Sequence, residues 1–544
     1  MTSTKKPTNR SVQWFRIGMA AVFLVSAALR FWGLSRFDTL VFDEVYYAKF
    51  ANNYLTHTPF FDGHPPLSKY LIAIGMWIGS NLPFGQDSIN GLTGSLRSTW
   101  SYRWLNALTG SFIPLVVAGI AYQLSHRRSY AFIAALFAAA DGLFLVDSRY
   151  ALNNVYLVIF GLLGHWFLLR GLEPQGRRRG FWLALAGIGF GAAGSVKWNG
   201  WWFLLGAYLV WMAAWVMRWM QSLRPTDSFE HCDAEEIKTP LAYLTQLNVL
   251  HLVFYLGIIP ALFYGLEWIP HLQLDPTFGF WEVQKRILQY HERVGDGPKV
   301  HPYCSRWYTW ILMIRPVAYF YQTAQSTTEP LPVMGPPLPA GVGKVIYDVH
   351  AIGNPALWWF STVAILLLLW MLAQRIWVWA IAPSGSQSPT EGKRHSHASP
   401  LNGGNPRTGL APQRGEPPHG AGSPPAALSH RQRFNVSTIR SVQTADTWIA
   451  LYLILNWLAN LLPWVMVTRC TFIYHYMGSS VFAGLAIARF ADQWLHSYRR
   501  EFRALGVTVI FLILLAFIFW MPIYLGLPLS PEALSQRLWF RSWI

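Results

Sequence analysis

Apolar stretches of about twenty residues recur along most of this 544-residue chain, and they constrain its fold more than any other feature. A helix needs about twenty apolar residues to cross a bilayer, and its internal hydrogen bonds satisfy the backbone polar groups there. Only 13% of the residues are charged, against roughly a quarter in soluble domains. The sequence therefore predicts an all-α polytopic membrane protein.

Eleven membrane spans are predicted from these stretches. They cover residues 14–34, 101–124, 129–147, 151–170, 181–197, 200–220, 244–268, 355–381, 447–467, 472–489 and 504–527. A further apolar stretch, 67–82, is short and follows Pro65-Pro66. We interpret it as a juxtamembrane helix in the first outer loop rather than a twelfth span, because it is shorter than the length that a membrane span requires.

Basic residues cluster in short loops that alternate with the predicted spans, as at 127–128, 177–179 and 499–500. Lysine and arginine are enriched in the cytoplasmic loops of membrane proteins. We therefore expect a cytoplasmic N-terminus, with a first outer loop (35–100) and a larger one (269–354) on the extracytoplasmic face. This distribution accounts for the net charge of +17 without a basic stripe, so no nucleic-acid partner is expected.

A polar segment divides the predicted spans into a region covering 1–381 and a C-terminal transmembrane region covering 447–544. The segment between them, 382–446, is rich in Ser, Pro, Gly and Arg and is predicted to be a disordered cytoplasmic loop. The three cysteines, Cys232, Cys304 and Cys470, lack metal-ligand spacing. We expect neither a disulfide framework nor a structural zinc site.

Two adjacent carboxylates, Asp43 and Glu44, stand just beyond the first predicted span in an aromatic sequence. Ionisable groups at membrane depth are disfavoured by several kcal/mol, which favours a functional role for this pair. Asp43 is a candidate general base, because a hydroxyl that attacks a sugar must lose its proton, and Glu44 is a candidate to orient the acceptor. The alternative is an N-cap, where a carboxylate complements the dipole of the following helix.

Four cationic residues are predicted to lie on the outer side, where the positive-inside pattern does not require them. They are Arg103, Arg149, Lys197 and Arg469. Fixed cations bind phosphate well and stabilise the charge that develops on a phosphate leaving group. These residues therefore predict an anionic ligand such as a lipid-linked phosphate, although Arg103 is also compatible with a simple interfacial anchor.

Four further residues are candidates for substrate binding. His64 and Lys69 flank the Pro65-Pro66 pair, and His475 and Tyr476 follow Arg469 closely in the chain. Taken alone, His64 is more typical of a turn residue at a helix entry, because the residue before proline is pushed out of the helical region. Lys69 is compatible with a long side chain that extends along apolar surface to water.

These motifs resemble the protein O-mannosyltransferase family, the dolichyl- or polyprenyl-phosphate-mannose-dependent transferases of the GT-C class. The resemblance is most specific at Phe42-Asp43-Glu44 and at 61–69, the sequence FDGHPPLSK. It continues in chain order through the segments 102–110, 148–154, 195–200, 353–359 and 472–476.

The resemblance implies a GT-C glycosyltransferase fold, with the catalytic transmembrane region in 1–381 and two juxtamembrane helices in the first outer loop. It places the catalytic carboxylate at Asp43, with Glu44 beside it. Asn154 stands where family members often carry an aspartate, which puts an acidic role at this position in doubt. The loop 269–354 is too small for the β-trefoil domain of eukaryotic members, which indicates a bacterial enzyme of the cell membrane.

The implied function is an inverting transferase that moves mannose from polyprenyl-phosphate-mannose to Ser or Thr hydroxyls of an exported protein or peptide. One alternative is a related lipid-phosphate-sugar transferase with a lipid or glycan acceptor, and the loop 269–354 would hold the difference. A transporter would need two related halves with broken helices at mid-membrane, and no such repeat is visible. Nucleotide-binding fingerprints and DxD signatures are missing from the sequence, so we expect neither a cofactor nor an essential metal. The expected partners are the lipid-linked donor, the acceptor and membrane lipids.

Overall fold

The chain is mainly helical in the computed structural model, which describes residues 9–173, 178–222, 239–325, 333, 343–381 and 445–544. The segment predicted to be disordered, 382–446, lies outside the described residues except for its last two positions. That part of the sequence analysis stays a prediction.

Nineteen helices are distinguished in chain order among the described residues. They are α1 (Asn9–Phe31), α2 (Glu44–Leu55), α3 (Leu67–Ser80), α4 (Thr99–Ser125), α5 (Arg128–Ala139), α6 (Gly142–Ser148), α7 (Asn154–Leu172), α8 (Arg178–Val196), α9 (Trp201–Ser222), α10 (Val249–His251), α11 (Ile259–Glu267), α12 (Ile269–Leu274), α13 (Phe280–Arg293), α14 (Trp307–Trp310), α15 (Pro355–Ile381), α16 (Ala445–Met466), α17 (Met477–Leu495), α18 (Arg500–Leu525) and α19 (Pro531–Ser535). A π-helical turn, Leu252–Ile258, joins α10 to α11, and short 3₁₀ turns include Trp198–Gly200 and Ile473–Tyr476.

Helices lie at all eleven predicted spans, but not all of them meet the requirements of a membrane span. Eight described helices are long and apolar enough to cross a bilayer, or nine if α5 and α6 form one span. These two are bent by 60° at a break where the Asp141 side chain accepts hydrogen bonds from the amides of Leu143 and Phe144 in the first turn of α6. The helical membrane character is confirmed, while the count of eleven is not.

The glycine-rich helix α8 is not among the helices that meet the length and apolarity requirements of a membrane span. Its packing explains its glycine content. It lies against α7, which in turn packs on α4 near the centre of the molecule. A Cβ at Gly189 would lie 2.8 Å from the backbone nitrogen of Gly164, and one at Gly164 would lie 2.6 Å from the Phe190 ring. Small residues allow such close approach of helices in membranes.

The first outer loop folds onto the ends of the spans through α2 and α3, followed by a hairpin of β1 (Ile89–Leu92) and β2 (Ser95–Ser98). The predicted juxtamembrane helix 67–82 is α3, and it begins directly after Pro65-Pro66. Gly94 in the hairpin turn has φ +72°, a backbone conformation that glycine adopts without strain.

The second outer loop contains helices α12 to α14 and an antiparallel sheet that the sequence analysis did not predict. Strands β3 (Val317–Ala324) and β4 (Val345–Ala351) pair in it, and β5 (Pro528–Leu529) joins β4 from beyond α18. The third strand is contributed from far along the chain, so no local pattern revealed the sheet.

A disulfide bond joins Cys304 in this loop to Cys470, which follows α16, across 166 residues of sequence. The sequence analysis expected no disulfide framework, and it did not predict this single bond. Spacing along the chain did not reveal the pair, because the two cysteines lie in segments that meet only in the folded protein.

Candidate active site

A cavity of about 520 Å³ lies between the two outer loops and the helix ends beneath them. Its polar and charged lining residues include Asp43, Asp62, His64, Lys197, His291, Arg469, Tyr474 and His475. A second cavity of about 390 Å³ shares His64, Lys197, His291, Arg469 and His475 with the first. Residues predicted from four separate sequence segments thus converge on one site.

Asp43 faces the first cavity immediately before α2. It occupies the N-cap position of α2, but its side chain makes no hydrogen bond to the first turn, so a capping hydrogen bond does not account for this carboxylate. Protein surrounds the carboxylate even though it is open to the cavity, and this burial raises the pKa of Asp43 to about 6, against the opposing charge of Lys197. A carboxylate with this pKa is ionised at neutral pH and still a competent proton acceptor.

Glu44 has a different environment, because its buried carboxylate is fully engaged by neighbours. Arg103 donates from Nε and Nη2 over 2.9 and 2.7 Å, and the backbone amides of Val41 and Ala151 donate over 2.8 Å each. The remaining donors of Arg103 bind the carbonyl oxygens of Leu34, Phe37 and Thr39. Neither side chain lines the cavity, which corrects the predicted acceptor contact of Glu44 and the predicted phosphate contact of Arg103.

Arg149 also lies away from the cavity. Its guanidinium donates to four carbonyl oxygens at the C-terminal end of α1, those of Leu29, Arg30, Trp32 and Gly33. The carbonyl groups of Leu29 and Arg30 are among those that a helix leaves without internal partners at its last turn, and a cation there also complements the helix dipole. The prediction of Arg149 as a phosphate ligand is therefore corrected to a cap of α1.

Lys69 supports the cavity wall from behind. It is 1% exposed, forms a 2.6 Å ion pair with Asp62 and donates to the carbonyl oxygens of His64 and Pro65. It therefore neither extends to water nor reaches a ligand. Tyr476 is also buried, and its hydroxyl accepts a 2.8 Å hydrogen bond from Trp457. Both predicted substrate contacts are corrected to supporting positions.

Lys197 and Arg469 are the two predicted cations that line both cavities. Lys197 follows α8 and donates to Asn154 Oδ1 over 3.0 Å, with its ammonium 5.2 Å from the centre of the Tyr474 ring. Burial lowers the pKa of Lys197 to about 8, although the charge of Asp43 opposes this effect. Arg469 precedes the disulfide residue Cys470, whose carbonyl accepts one of its hydrogen bonds.

Two models of protein families match the sequence of this chain. Residues 20–272 match a family model described as dolichyl-phosphate-mannose-protein mannosyltransferase, and 277–399 with 426–543 match the C-terminal four-transmembrane region of protein O-mannosyltransferase. This chain belongs to the protein O-mannosyltransferase family. The predicted family and the predicted class of membrane glycosyltransferase are thereby confirmed.

Two bacterial relatives of known name match about two thirds of this chain. The polyprenol-phosphate-mannose–protein mannosyltransferase of Corynebacterium glutamicum is 24% identical over 438 residues, 68% of this chain and 76% of its own. The enzyme of that name from Mycobacterium tuberculosis is 23% identical over 431 residues, 70% of this chain and 75% of its own.

The structure of the Saccharomyces cerevisiae protein O-mannosyltransferase Pmt1-Pmt2 complex bound to the sugar donor has the same fold. It matches 98% of this chain and 93% of its own with a TM-score of 0.67 at 14% identity. The likeness concerns the fold alone, and it confirms the predicted GT-C architecture.

Sequence analysis of this O-mannosyltransferase missed several cavity residues, among them Asp62 and His291. Asp62 lies two positions before His64 in the FDGHPPLSK motif, and this motif already indicated that the segment belongs to the site. His291 lies at the end of α13, an amphipathic helix whose buried side carries Val283 and Ile287 at the preceding four-residue intervals. Its ring lies 5.2 Å from that of His64, and burial together with the charge of Arg469 lowers the pKa of His291 to about 4. Both rings present neutral hydrogen-bonding groups, since burial lowers the pKa of His64 as well.

Proposed function

We propose that this protein transfers mannose from a polyprenyl-phosphate donor to Ser or Thr hydroxyls of exported polypeptides, with inversion at the anomeric carbon. The observation that carries the proposal is one cavity lined by an enclosed carboxylate, Asp43, and two cations, Lys197 and Arg469. The family, and the names of its bacterial members, support this donor and a protein acceptor.

The reaction follows from the roles these groups can perform. The acceptor hydroxyl attacks the anomeric carbon on one face of the sugar and passes its proton to Asp43. The bond from that carbon to the phosphate oxygen breaks on the opposite face, and the polyprenyl phosphate leaves with the bonding electrons. Lys197 and Arg469 stabilise this developing negative charge. A single displacement of this kind inverts the anomeric configuration.

The second cavity suits the lipid part of the donor. Besides the two cations it shares with the first, it is lined by Trp202, Leu288 and Met466, and Met466 at the end of α16 is 85% exposed. An apolar side chain so exposed at the end of a membrane span is suited to contact lipid. We place the phosphate at Lys197 and Arg469, with the polyprenyl chain passing along this second cavity into the bilayer.

We further propose that the cavity faces the extracytoplasmic side of a bacterial cell membrane, with the N-terminus in the cytoplasm. The alternating basic loops support this orientation. The Cys304–Cys470 disulfide beside the cavity supports it independently, because disulfides persist mainly outside the reducing cytoplasm.

The test is an assay of the purified enzyme with synthetic polyprenyl-phosphate-mannose and a Ser/Thr-rich peptide, read by mass spectrometry. We expect one added hexose per modified hydroxyl, in the α configuration if the donor is β-linked, and unchanged turnover in EDTA. The EDTA arm addresses the proposed lack of a metal, and no group of three metal-ligating side chains occurs within the described residues. Transfer to a lipid or glycan, with the peptide left unmodified, would favour the alternative acceptor class.

A further inference from the structure

Tyr319 of strand β3 does not line the cavity, but it contacts Phe42, which precedes Asp43, and Asp147, which is linked by hydrogen bonds to Lys197. It is 5% exposed. Its ring stacks on that of Phe42 with the centroids 4.3 Å apart and the planes at 8°. Its hydroxyl donates a 3.0 Å hydrogen bond to Asp147 Oδ1 at the end of α6.

The hydroxyl begins a buried hydrogen-bond chain that ends at Lys197. Asp147 Oδ1 also accepts from Asn154 Nδ2 over 3.1 Å, and Asn154 Oδ1 accepts from Lys197 Nζ over 3.0 Å. The orientation of the amide follows from chemistry, because an ammonium only donates and an ionised carboxylate only accepts. An asparagine satisfies both neighbours at once. The position of the Lys197 ammonium therefore depends on groups that extend back to the outer loop.

The ring of Tyr319 acts on the other side of the site through Phe42. Phe42 precedes Asp43 and has φ +52°, a left-handed conformation that non-glycine residues adopt only at a cost. Packing must hold it there, and Tyr319 makes the closest ring contact, while the rings of Phe472 and Tyr474 lie at 6.2 and 6.1 Å. The direction in which Asp43 faces the cavity depends on this packing.

We propose that Tyr319 is a positioning residue that sets the general base and the phosphate-binding cation relative to each other. Its ring fixes the backbone before Asp43, and its hydroxyl fixes Lys197 through Asp147 and Asn154. The proposal rests on the proposed function, because it assigns Asp43 and Lys197 the roles given above. It makes the outer-loop sheet part of the active-site architecture.

The two contributions are separable by substitution. Tyr319→Phe keeps the ring and removes the hydroxyl, so the donor KM should rise about three- to tenfold, the scale of one lost hydrogen bond, with kcat within about twofold of wild type. Tyr319→Leu also removes the stacked ring, so kcat should fall in addition by about tenfold or more as Asp43 loses its orientation.

A double-mutant cycle tests the chain itself. Asn154→Leu should raise the donor KM by a similar factor. In the double variant Tyr319→Phe with Asn154→Leu, the donor KM should rise by less than the product of the two single increases, because both substitutions interrupt the same hydrogen-bond chain. The control is Tyr321→Phe on the same strand, whose side chain is 56% exposed and outside this chain of contacts. It should leave both constants unchanged.

Thermal unfolding of each detergent-solubilised variant separates positioning from general instability. Unchanged donor KM in folded Tyr319→Phe, or fully multiplicative effects in the cycle, would overturn the positioning role while leaving the proposed function intact. Should Tyr319→Leu not fold, Tyr319→Phe alone still tests the path from the Tyr319 hydroxyl to Lys197. A wild-type enzyme without mannosyl transfer would instead refute the proposed function, and this inference with it.

Discussion

Asp43 and Glu44 are adjacent in the chain, yet their carboxylates lie in different surroundings. Asp43 lines the cavity, whereas Glu44 is buried and bound by the guanidinium of Arg103 and two backbone amides. The first is open to the cavity, as the proposed proton transfer requires. The second holds the first outer loop against α4, so the two substitutions should have different effects.

We expect Asp43→Asn to reduce turnover by about 10²–10⁴-fold with donor binding and thermal stability retained, the usual cost of losing a general base. Glu44→Gln should instead destabilise the protein by about 3–5 kcal/mol, since it leaves the Arg103 charge buried without its partner. Kinetics and thermal unfolding of the two variants, measured side by side, distinguish the roles. Wild-type turnover in folded Asp43→Asn would remove Asp43 from the mechanism.

The acid–base properties of the cavity predict a bell-shaped dependence of kcat/KM on pH. Asp43 must be ionised to accept a proton, and burial raises its pKa to about 6, so activity should rise through that pH. Lys197 must be protonated to bind phosphate, and burial lowers its pKa to about 8, so activity should fall above it. The charged groups acting on Lys197 are Asp43, Asp147, Arg469 and Asp62, and those acting on Asp43 are Lys197, Asp147 and Asp62.

Lys197→Arg provides the diagnostic for the alkaline limb. Arginine keeps its proton far above pH 8, so this variant should retain activity at alkaline pH even if its maximum is lower. An alkaline limb unchanged in Lys197→Arg would assign that titration to another group.

At the scale of elements, the segment between α16 and α17 is anchored to the second outer loop at several points. The Cys304–Cys470 disulfide is flanked by hydrogen bonds from Ser305 N to Thr471 O and from Cys470 N to Gly295 O, each 2.8 Å long. Arg469 directly precedes this junction. The outer loop therefore helps to hold Arg469 in the cavity.

We expect the double substitution Cys304→Ser with Cys470→Ser to lower the thermal unfolding midpoint and to raise the donor KM about three- to tenfold. Treatment of wild type with a reductant should move the donor KM in the same direction. Cys232→Ser is the matched control and should change neither quantity. A donor KM unaffected by loss of the disulfide would show that Arg469 is held by its other contacts.

For the whole molecule, the proposed orientation places the cavity outside and the loop between α17 and α18 in the cytoplasm. Single cysteines in a Cys232→Ser background test it, because the other two cysteines are joined in the disulfide. Lys299→Cys, in the second outer loop, should react with a membrane-impermeant maleimide in intact cells. Tyr498→Cys, at a fully exposed position of the opposite loop, should react only after permeabilisation. The reverse pattern would invert the orientation and exclude an extracytoplasmic site.

Helical membrane character, family and the first-loop motif were predictable because each is a property of local sequence. A span is recognised from the length and polarity of one continuous stretch, and a motif from adjacent residues such as Phe42-Asp43-Glu44. The sheet of the second outer loop was not predictable in this way. Its third strand, Pro528–Leu529, pairs with a strand more than 170 positions earlier in the chain.

The sequence by itself determined that cations stand at or near the outer ends of the predicted spans, but it did not distinguish those that face the cavity from those that bind only the protein. Arg103 and Arg149 are satisfied by Glu44 and by carbonyl groups of distant segments, while Lys197 and Arg469 keep their charge at the cavity. Only the tertiary structure decided this division. The two pairs do not differ in charge or in their position relative to the predicted spans. They differ in which segments meet around each side chain in the folded protein.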